Sequence, residues 1–235
     1  NLVDFLNKRH LKASPTRRVW IPKPGKDEKR PLGIPTIYDR ALQALVKIGM
    51  EPEWEARFEP NSYGFRPGRS AHDAIENIYN VIHLSPKYVL DADISKCFDR
   101  INHDALLRKI GKTPYRRLIK QWLKSGVFDN KQFSDTVEGT PQGGVISPLL
   151  ANIALHGMEE RLMEFAQTLD LKNTRGFQKS KQMKCKTLNL IRYADDFVIL
   201  HKDIKVVLQA KTIIQEWLNQ VGLELKPEKT RIAHT

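Results

Sequence analysis

The sequence predicts an α+β fold in which a small antiparallel sheet is backed by helices. Apolar runs on both sides of residues 193–196 form the pattern of a β-hairpin, in which a short polar turn joins two strands. Residues 88–94 alternate apolar and polar side chains, as a half-buried strand does. A strand–turn–strand pattern over residues 223–233 closes the chain. We expect these strands to share one sheet, with amphipathic helices packed against it.

The composition indicates a globular protein with a polyanionic partner. Lys and Arg outnumber Asp and Glu by 39 to 27 among the 235 residues, which gives a net charge of +12 and a pI near 9.7. This charge favours nucleic acid over a membrane surface, because no basic amphipathic helix or acylation signal accompanies it. The two cysteines, Cys97 and Cys185, form no C-x-x-C motif and fit a reducing compartment.

Neither a membrane-spanning segment nor a leader is predicted. No apolar run reaches the length needed to cross a bilayer, and no secretory signal opens the chain. Since the first residue is Asn and not Met, we expect a fragment or a processed chain.

The turn of the predicted hairpin carries two adjacent carboxylates, Asp195 and Asp196, and no glycine. Hairpin turns usually contain Asn-Gly or Asp-Gly, whose residues accept a positive φ. Two neighbouring like charges repel each other and are stabilised by a cation. Taken alone, such a pair is usually a solvated acidic turn. The alternative is a divalent-metal site, which needs a further carboxylate from elsewhere in the chain.

The strand over residues 88–94 supplies a candidate for that carboxylate. Alternation places Asp91 and Asp93 on the same side of the strand, where burial without a partner would be costly. We therefore expect the strand to deliver Asp93 to a site shared with Asp195 and Asp196. Three carboxylates can hold two Mg²⁺ ions, which prefer oxygen ligands and also bind substrate phosphates. Two such ions promote in-line phosphoryl displacement.

Two loops carry basic residues among turn-forming ones. The loop between the predicted strands 19–21 and 32–34 contains Lys23, Lys26, Lys29 and Arg30. It is either a clamp for phosphates or a solvated loop tip. The loop over 59–70 interleaves aromatic and basic side chains, namely Tyr63, Phe65, Arg66 and Arg69. These side chains either contact nucleic acid or fill the core. From a basic run near the start of the chain, we add Arg17 and Arg18 to Arg66 and Arg69 as candidate nucleic-acid contacts.

The remaining elements are predicted from apolar periodicity and capping residues. Asp39 is expected to cap a helix that ends near Glu51. Ser70 and Asp73 are expected to form the capping box of a helix that ends near His83. Further elements are helices over 103–110, 115–125 and 205–221, a long helix that follows a glycine-rich loop and ends near 167, a polar hairpin over 127–138, and a mobile loop over 172–186.

A series of sequence blocks identifies a family resemblance. The blocks are, in chain order, I-P-K-P-G, R-P-L-G-I-P-T-I-Y-D-R, S-Y-G-F-R-P-G-R-S, D-A-D-I-S-K-C-F-D, T-P-Q-G-G-V-I-S-P-L-L-A-N-I, Y-A-D-D and L-K-P-E-K-T. Y-A-D-D alone is a weak signal, but the blocks together cover nearly the whole chain. In this order they resemble the reverse-transcriptase domain of a group II intron-encoded protein. The resemblance implies a right-hand polymerase fold, with a palm built on the predicted sheet and a fingers subdomain.

The resemblance implies roles for the acidic residues and for one lysine. Asp93, Asp195 and Asp196 would be the catalytic residues and would bind two Mg²⁺ ions, for which Mn²⁺ is a possible substitute. The carbonyl of Ile94 would complete a metal shell. Lys229 falls near a family lysine that would protonate the leaving pyrophosphate, and Lys226, also close, is the competing candidate for this role.

Further residues match positions that contact the incoming nucleotide in the family. Phe98 matches the bulky side chain that excludes a ribose 2′-OH and so selects deoxynucleotides, although from the residues alone it is equally a core phenylalanine. Gln142 and Gly143 match the loop that packs on the nucleotide. Lys23 and Arg30 match the fingers residues that grip its triphosphate.

The resemblance also implies domain organisation and partners. The fingers would come from residues 1–80 and 113–146, and the palm from 81–112 and 147–235. The thumb with its maturase region, and any DNA-binding and endonuclease regions, would lie outside the chain, so we expect an isolated fingers–palm piece to be weakly active or inactive. The partners would be an intron RNA template, a DNA primer and a dNTP, with no membrane. The location would be cytoplasmic, in a bacterial or organellar interior, and the oligomeric state either monomer or dimer.

The main functional hypothesis is RNA-directed DNA polymerisation by a mobile group II intron protein, which in full length would also support splicing and retrohoming. One alternative is an RNA-dependent RNA polymerase, but such enzymes usually place a second Asp where Phe98 stands. Another alternative is an RNA-binding splicing scaffold with an idle polymerase site. The basic charge fits the scaffold equally well, but an idle site has no reason to keep the carboxylates, Gln142 and Phe98 together.

Overall fold

The computed structural model describes residues 12–22, 25, 27–83, 85–130 and 132–235. The strands are β1 (Thr16–Pro22), β2 (Lys29–Ile34), β3 (Tyr88–Asp93), β4 (Val127–Asp129), β5 (Gln132–Ser134), β6 (Asn189–Tyr193), β7 (Asp196–His201) and β8 (Arg231–His234). The helices are α1 (Ile37–Glu55), α2 (Ala71–Ile82), α3 (Cys97–Arg100), α4 (His103–Ile110), α5 (Arg116–Leu123), α6 (Ser147–Leu155), α7 (Met158–Thr168), α8 (Lys181–Cys185) and α9 (Ile204–Gln220), and a 3₁₀ turn covers Pro227–Lys229.

These elements form two compact units. The first unit comprises Asn1–Arg57 and Lys96–Ala154, and the second comprises Phe58–Ser95 and Leu155–Thr235. These boundaries differ from those expected for fingers and palm, and the assignment of the two subdomains stays a prediction. Within the described ranges, no helix is both long and apolar enough to span a bilayer.

The first unit contains a four-stranded sheet with the order β2-β1-β4-β5. Strand β1 pairs antiparallel with β2, from Arg17 opposite Ile34 to Pro22 opposite Lys29. Strand β4 pairs parallel with β1 and antiparallel with β5. Both hairpins predicted from the sequence are therefore confirmed, but Lys29 and Arg30, expected in the loop of the first hairpin, lie in β2 and pair with β1. The buried apolar side chains of this unit come mainly from its helices, among them Leu42, Val46, Met50, Leu106, Ile119, Leu123, Leu150 and Ile153.

The start of α1 corrects one prediction. Thr36, and not Asp39, is the N-cap, because the Thr36 hydroxyl accepts a hydrogen bond from the Asp39 amide. Asp39 lies in the first turn and is buried, and its carboxylate accepts hydrogen bonds from the Thr36 hydroxyl at 2.7 Å and from Trp122 Nε1 at 2.9 Å. The helix also continues past its predicted end near Glu51. It ends at Glu55, and Pro52 lies within its last turn.

The second unit contains the sheet predicted from the sequence, with one correction: the first strand expected within 223–233 is reduced to a bridge between Leu225 and Ile94. Its strand order is β6-β7-β3-β8, and every neighbouring pair is antiparallel. Helix α2 begins with the predicted Ser70–Asp73 capping box and packs on the sheet through a buried cluster. Helix α9 packs against β3 and β7, and α7 packs against α9. The fully buried members of the α2 cluster are Tyr63, Ala74, Ile191 and Leu200.

Two predicted elements of the second half are corrected. The long helix expected to end near 167 is divided into α6 and α7, because Gly157 adopts a φ of +97° and breaks the helical path. The carboxylate of Glu59 accepts hydrogen bonds from the amides of Gly157, Glu159 and Glu160 and so caps α7. The expected mobile loop over 172–186 contains a bridge between Lys172 and Gln178, followed by helix α8.

Candidate active site

Three acidic residues meet at one end of the second unit's sheet. Asp93 ends β3 and Asp196 begins β7, and the two residues are direct partners in the antiparallel ladder. Directly opposed side chains lie on the same face, with Cβ atoms about 4.5–5.5 Å apart. Asp195 lies in the turn that precedes β7, where its carbonyl accepts a hydrogen bond of 3.1 Å from the amide of Ile94. The structure therefore brings together Asp93, Ile94, Asp195 and Asp196.

This arrangement concentrates negative charge. The pKa of Asp196 is raised, first by partial burial of its carboxyl group and then by the charges of Asp195 and Asp93. Like charges directly opposite each other in a sheet are destabilising. The cluster therefore favours the approach of a cation.

Lys229 supplies a cation in this structure. Its Nζ lies 2.6 Å from Oδ2 of Asp93, whose side chain is 12% exposed. The hydrogen bond to Asp93 raises the pKa of Lys229. Lys226 pairs instead with Glu228, at 3.7 Å. The two lysines that the sequence left open both meet Asp93: Lys229 contacts its carboxylate through the side chain, whereas Lys226 donates its backbone amide to the Asp93 carbonyl at 2.8 Å.

The donor set fits Mg²⁺ in its chemistry, since carboxylate oxygens are the ligands that this ion prefers. Among the described residues, however, no group of three or more acidic, histidine or cysteine side chains is arranged to hold a metal ion as it stands. Lys229 occupies one oxygen of Asp93. The two-metal site stays a prediction.

The turn itself has an unusual backbone. Ala194 adopts a φ of +57°, a conformation that L residues other than Asn and Asp seldom adopt. A Cβ atom on Gly64 would lie 2.2 Å from the Ala194 amide nitrogen, so only glycine permits this approach. On the other side, NH1 of Arg192 donates a hydrogen bond of 2.9 Å to the Ala194 carbonyl. Sequence reasoning missed the roles of Gly64 and Arg192. The one available signal was a charged residue within the apolar run of β6.

A buried polar network lies in the same unit. The side-chain amide of Asn61 donates a hydrogen bond of 2.6 Å to Glu159, and the side-chain amide of Asn77 donates one of 2.7 Å to Asn61. Burial raises the pKa of Glu159 to about 7, and the nearby charge of Glu59 acts in the same direction. The Asn61 hydrogen bonds and the charge of Arg192 act in the opposite direction. The sequence did not point to this network.

The structure corrects one candidate nucleic-acid contact. Arg66 is buried, and its NH1 donates hydrogen bonds of 2.8 Å to the carbonyls of Glu59 and Ser62. Its guanidinium also stacks on Phe58. Arg66 therefore stabilises its own loop and does not present a nucleic-acid surface. Arg69 is half-buried and stacks on Tyr63.

The first unit contains the predicted nucleotide contacts that the structure describes. Gln142 Nε2 donates a hydrogen bond of 2.9 Å to Asp99, and the amide of Thr140 donates one of 2.5 Å to the carbonyl of Phe98. The loop that holds Gln142 is thus joined to the segment that holds Phe98. Burial raises the pKa of Asp99, while the Gln142 hydrogen bond and the charges of Arg18, Lys96 and Arg30 lower it.

The remaining candidate residues of this unit are Gly143, Arg17, Arg18, Arg30 and Lys23. A Cβ atom on Gly143 would lie 2.7 Å from the Gly33 carbonyl, so a glycine is needed where the loop meets β2. Arg17 and Arg30 are exposed, and Arg18 is half-buried and stacks on Trp20. Lys23 lies outside the described residues.

Comparisons with known proteins identify the family of the chain. Residues 21–235 match the family described as "Reverse transcriptase (RNA-dependent DNA polymerase)". The group II intron-encoded protein LtrA of Lactococcus lactis subsp. cremoris is 34% identical over 272 residues, which cover 94% of this chain and 45% of that protein. Protein YkfC of Escherichia coli (strain K12) is 34% identical over 258 residues, which cover 99% of this chain and 67% of that protein.

A solved structure supports the fold. Telomerase from Candida tropicalis, in complex with a fragment of telomeric RNA, superposes with a TM-score of 0.70 at 15% identity, over 95% of this chain and 42% of that one. This likeness confirms a polymerase-type α+β fold and no more. Together with the match over residues 21–235, it shows that the chain belongs to the reverse transcriptase family, with relatives among the group II intron-encoded proteins.

Proposed function

We propose that this chain catalyses RNA-directed DNA synthesis, as the polymerase region of a group II intron-encoded protein. The observation that carries the proposal is the meeting of Asp93, Asp195 and Asp196 at one sheet end, where partial burial and then the charges of Asp195 and Asp93 raise the pKa of Asp196. In a solvated surface turn, carboxylates placed close together only repel each other. A site for divalent cations requires several carboxylates close together.

Asp93, Asp195 and Asp196, with the carbonyl of Ile94, would hold Mg²⁺ or, as a substitute, Mn²⁺. When bound, two such ions stabilise both the attacking and the leaving oxygen of a phosphoryl transfer. The protein supplies the fixed placement of the carboxylates through the ladder between β3 and β7. It also excludes water from Asp93, which is nearly buried.

Lys229 has two roles in this proposal. Without a metal ion, its ammonium group neutralises Asp93. During the reaction it donates a proton to the leaving pyrophosphate. The contact between Lys229 Nζ and the Asp93 carboxylate supports this role, because it places the ammonium group beside the acidic cluster.

Lys229→Met is expected to tighten Mn²⁺ binding about two- to fivefold, because a partly exposed ion pair contributes up to about 1 kcal/mol. Electron paramagnetic resonance of free Mn²⁺ measures this affinity without reference to activity. Lys226→Met removes a side-chain charge that pairs with Glu228 and keeps the backbone hydrogen bond from residue 226 to the Asp93 carbonyl, so it is expected to leave the affinity unchanged. Equal affinities in Lys229→Met and the wild type would show that Lys229 does not compete with the metal.

In the first unit, we propose that Phe98 excludes the ribose 2′-OH and that Gln142 and Gly143 contact the incoming nucleotide. Arg30 and Lys23 would bind its triphosphate as point charges. The hydrogen bonds that join the Phe98 and Gln142 segments support a shared role, since movement of one segment would displace the other.

The partners in this proposal are an RNA template, a DNA primer and a dNTP. We propose an intron RNA as template and binding partner, because relatives of the chain are group II intron-encoded proteins, and splicing and retrohoming as activities of the whole protein. The excess of Lys and Arg supports a nucleic-acid partner. A reducing cell or organelle interior suits Cys97 and Cys185, since neither forms a disulfide.

Primer extension on an RNA template tests the function directly. The chain, and a version extended by a thumb domain, are incubated with Mg²⁺ and either dNTPs or NTPs. Extension with dNTPs is expected, at least from the thumb-bearing version. Extension only with NTPs would indicate an RNA polymerase. Template binding without any extension, by both proteins, would favour a splicing scaffold with an idle site.

A further inference from the structure

We propose that Arg192 is a positioning residue for the catalytic turn, acting together with Ser62 and Gly64. This inference rests on the proposed polymerase function, because it concerns how Asp195 and Asp196 are held. None of these three residues carries reaction chemistry in the proposal above. They determine the position of the Asp195 and Asp196 carboxylates.

Arg192 connects the turn to the segment that contains Ser62. It lies in β6 and is only 1% exposed, although it carries a permanent charge. Burial of a guanidinium is costly unless its donors are satisfied. NH1 donates to the carbonyl of Ala194 at 2.9 Å, and NH2 donates to Oγ of Ser62 at 2.7 Å. The planar group thus joins the turn to a separate segment.

Ser62 is itself fixed by the backbone. Residues 61–63 run parallel to β6 and form a bridge between Ser62 and Arg192. The Arg192 amide donates to the Asn61 carbonyl at 2.9 Å, and the Tyr63 amide donates to the Arg192 carbonyl at 2.9 Å. Because the backbone fixes Ser62, its hydroxyl gives the guanidinium a defined orientation.

Gly64 closes the arrangement. Because Gly64 has no side chain, its loop can approach the Ala194 amide. Ala194 itself adopts a positive φ, which alanine does not favour. The amide of Ile94 holds the next carbonyl, that of Asp195. The turn is therefore fixed by Arg192, Gly64 and β3, and Asp195 and Asp196 follow directly in the chain.

Glu159 interacts electrostatically with the buried arginine. The positive charge of Arg192 lowers the pKa of Glu159, against a larger upward effect of burial. Glu159 is also hydrogen-bonded to Asn61, the residue next to Ser62. The arginine is thus part of a network that reaches from the turn to the start of α7.

Arg192→Lys tests the proposal, because lysine keeps the charge but offers a point donor in place of a planar fork. We expect kcat for primer extension to fall about a hundredfold, as for a misplacement of about 1 Å in an active site. The KM for dNTP is expected to change less than about twofold, since the residues proposed to bind the nucleotide are untouched. Mn²⁺ binding, measured by electron paramagnetic resonance, is expected to weaken.

Arg116→Lys is the matched control. Arg116 also donates to two backbone carbonyls, those of Leu107 and Gly111, but it lies in the first unit. Its replacement is expected to lower the thermal unfolding midpoint without a change in kcat per folded molecule.

Ser62→Ala completes the test. Alone it is expected to lower kcat about three- to tenfold, because the guanidinium loses its orienting acceptor. In an Arg192→Met background it is expected to lower kcat no further, since the two residues act as one unit.

Three results would overturn the proposal: a kcat for Arg192→Lys within twofold of wild type, a fall explained by the unfolded fraction, or additive effects of Ser62→Ala and Arg192→Met. If the wild type extends no primer, the proposed function fails instead. The Mn²⁺ affinities of wild type and Arg192→Lys then still decide whether Arg192 positions the carboxylates.

Discussion

Asp195→Asn is expected to reduce primer extension about a thousandfold or more. A metal ligand contributes several kcal/mol to a transition state that develops charge, and each 1.4 kcal/mol is about tenfold in rate. Asparagine keeps the size of the side chain and removes only its charge. Single-turnover extension of a labelled primer on RNA, at saturating dNTP, measures this loss.

Stability is expected to change in the opposite direction in the same variant. The charge of Asp195 raises the pKa of Asp196, so its removal relieves repulsion within the cluster. Without divalent metal, the thermal unfolding midpoint of Asp195→Asn is expected to equal or exceed that of the wild type. Asp170→Asn, an exposed site of the same unit, is the control and is expected to keep full activity. Retained extension by Asp195→Asn would refute the polymerase proposal.

Phe98→Ala is expected to lower discrimination against ribonucleotides by about a hundredfold, in the range that steric fit in a pocket provides. Removal of the ring leaves room for a 2′-OH, so incorporation of NTPs rises while incorporation of dNTPs changes less. The ratio of kcat/KM for dCTP and CTP on one RNA template measures the effect.

The control for that variant is Phe128→Ala. Phe128 is exposed and packs edge-on against Phe133 in the same unit, so its truncation removes an aromatic ring away from the candidate residues. It is expected to leave the ratio unchanged. An unchanged ratio in Phe98→Ala as well would make Phe98 a packing residue only, which is the alternative that the sequence left open.

The sheet of the second unit could be predicted because its pattern is local. Alternation in β3 and the two apolar runs of the β6–β7 hairpin involve only neighbouring residues, so the strands themselves could be predicted. The register that pairs Asp93 with Asp196 joins distant strands and was not predicted. Helix α4 was also predicted with its observed bounds, since the Asn102 side chain caps it and Gly111 follows its end.

Other features depend on contacts between distant segments. Gly64 meets Ala194 across about 130 positions of sequence, and nothing in the loop's composition marks which of its glycines makes that contact. Arg66 and Arg69 have the same chemistry and neighbouring positions, yet only Arg66 is buried. Thr36 and Asp39 are both good capping residues, and the hydrogen bond from Trp122 to Asp39 decided between them. In each case tertiary contact selected among local options of similar energy.

The bridge between Ser62 and Arg192 has a consequence for self-association. Strand β6 is the last strand on its side of the sheet, and its interior residues are buried and apolar apart from Arg192. Open edges of this kind are templates for pairing with other chains. Residues 61–63 occupy that edge. The loop that steadies the acidic turn therefore also protects the protein from aggregation, and selection for solubility would preserve it even where catalysis was no longer needed.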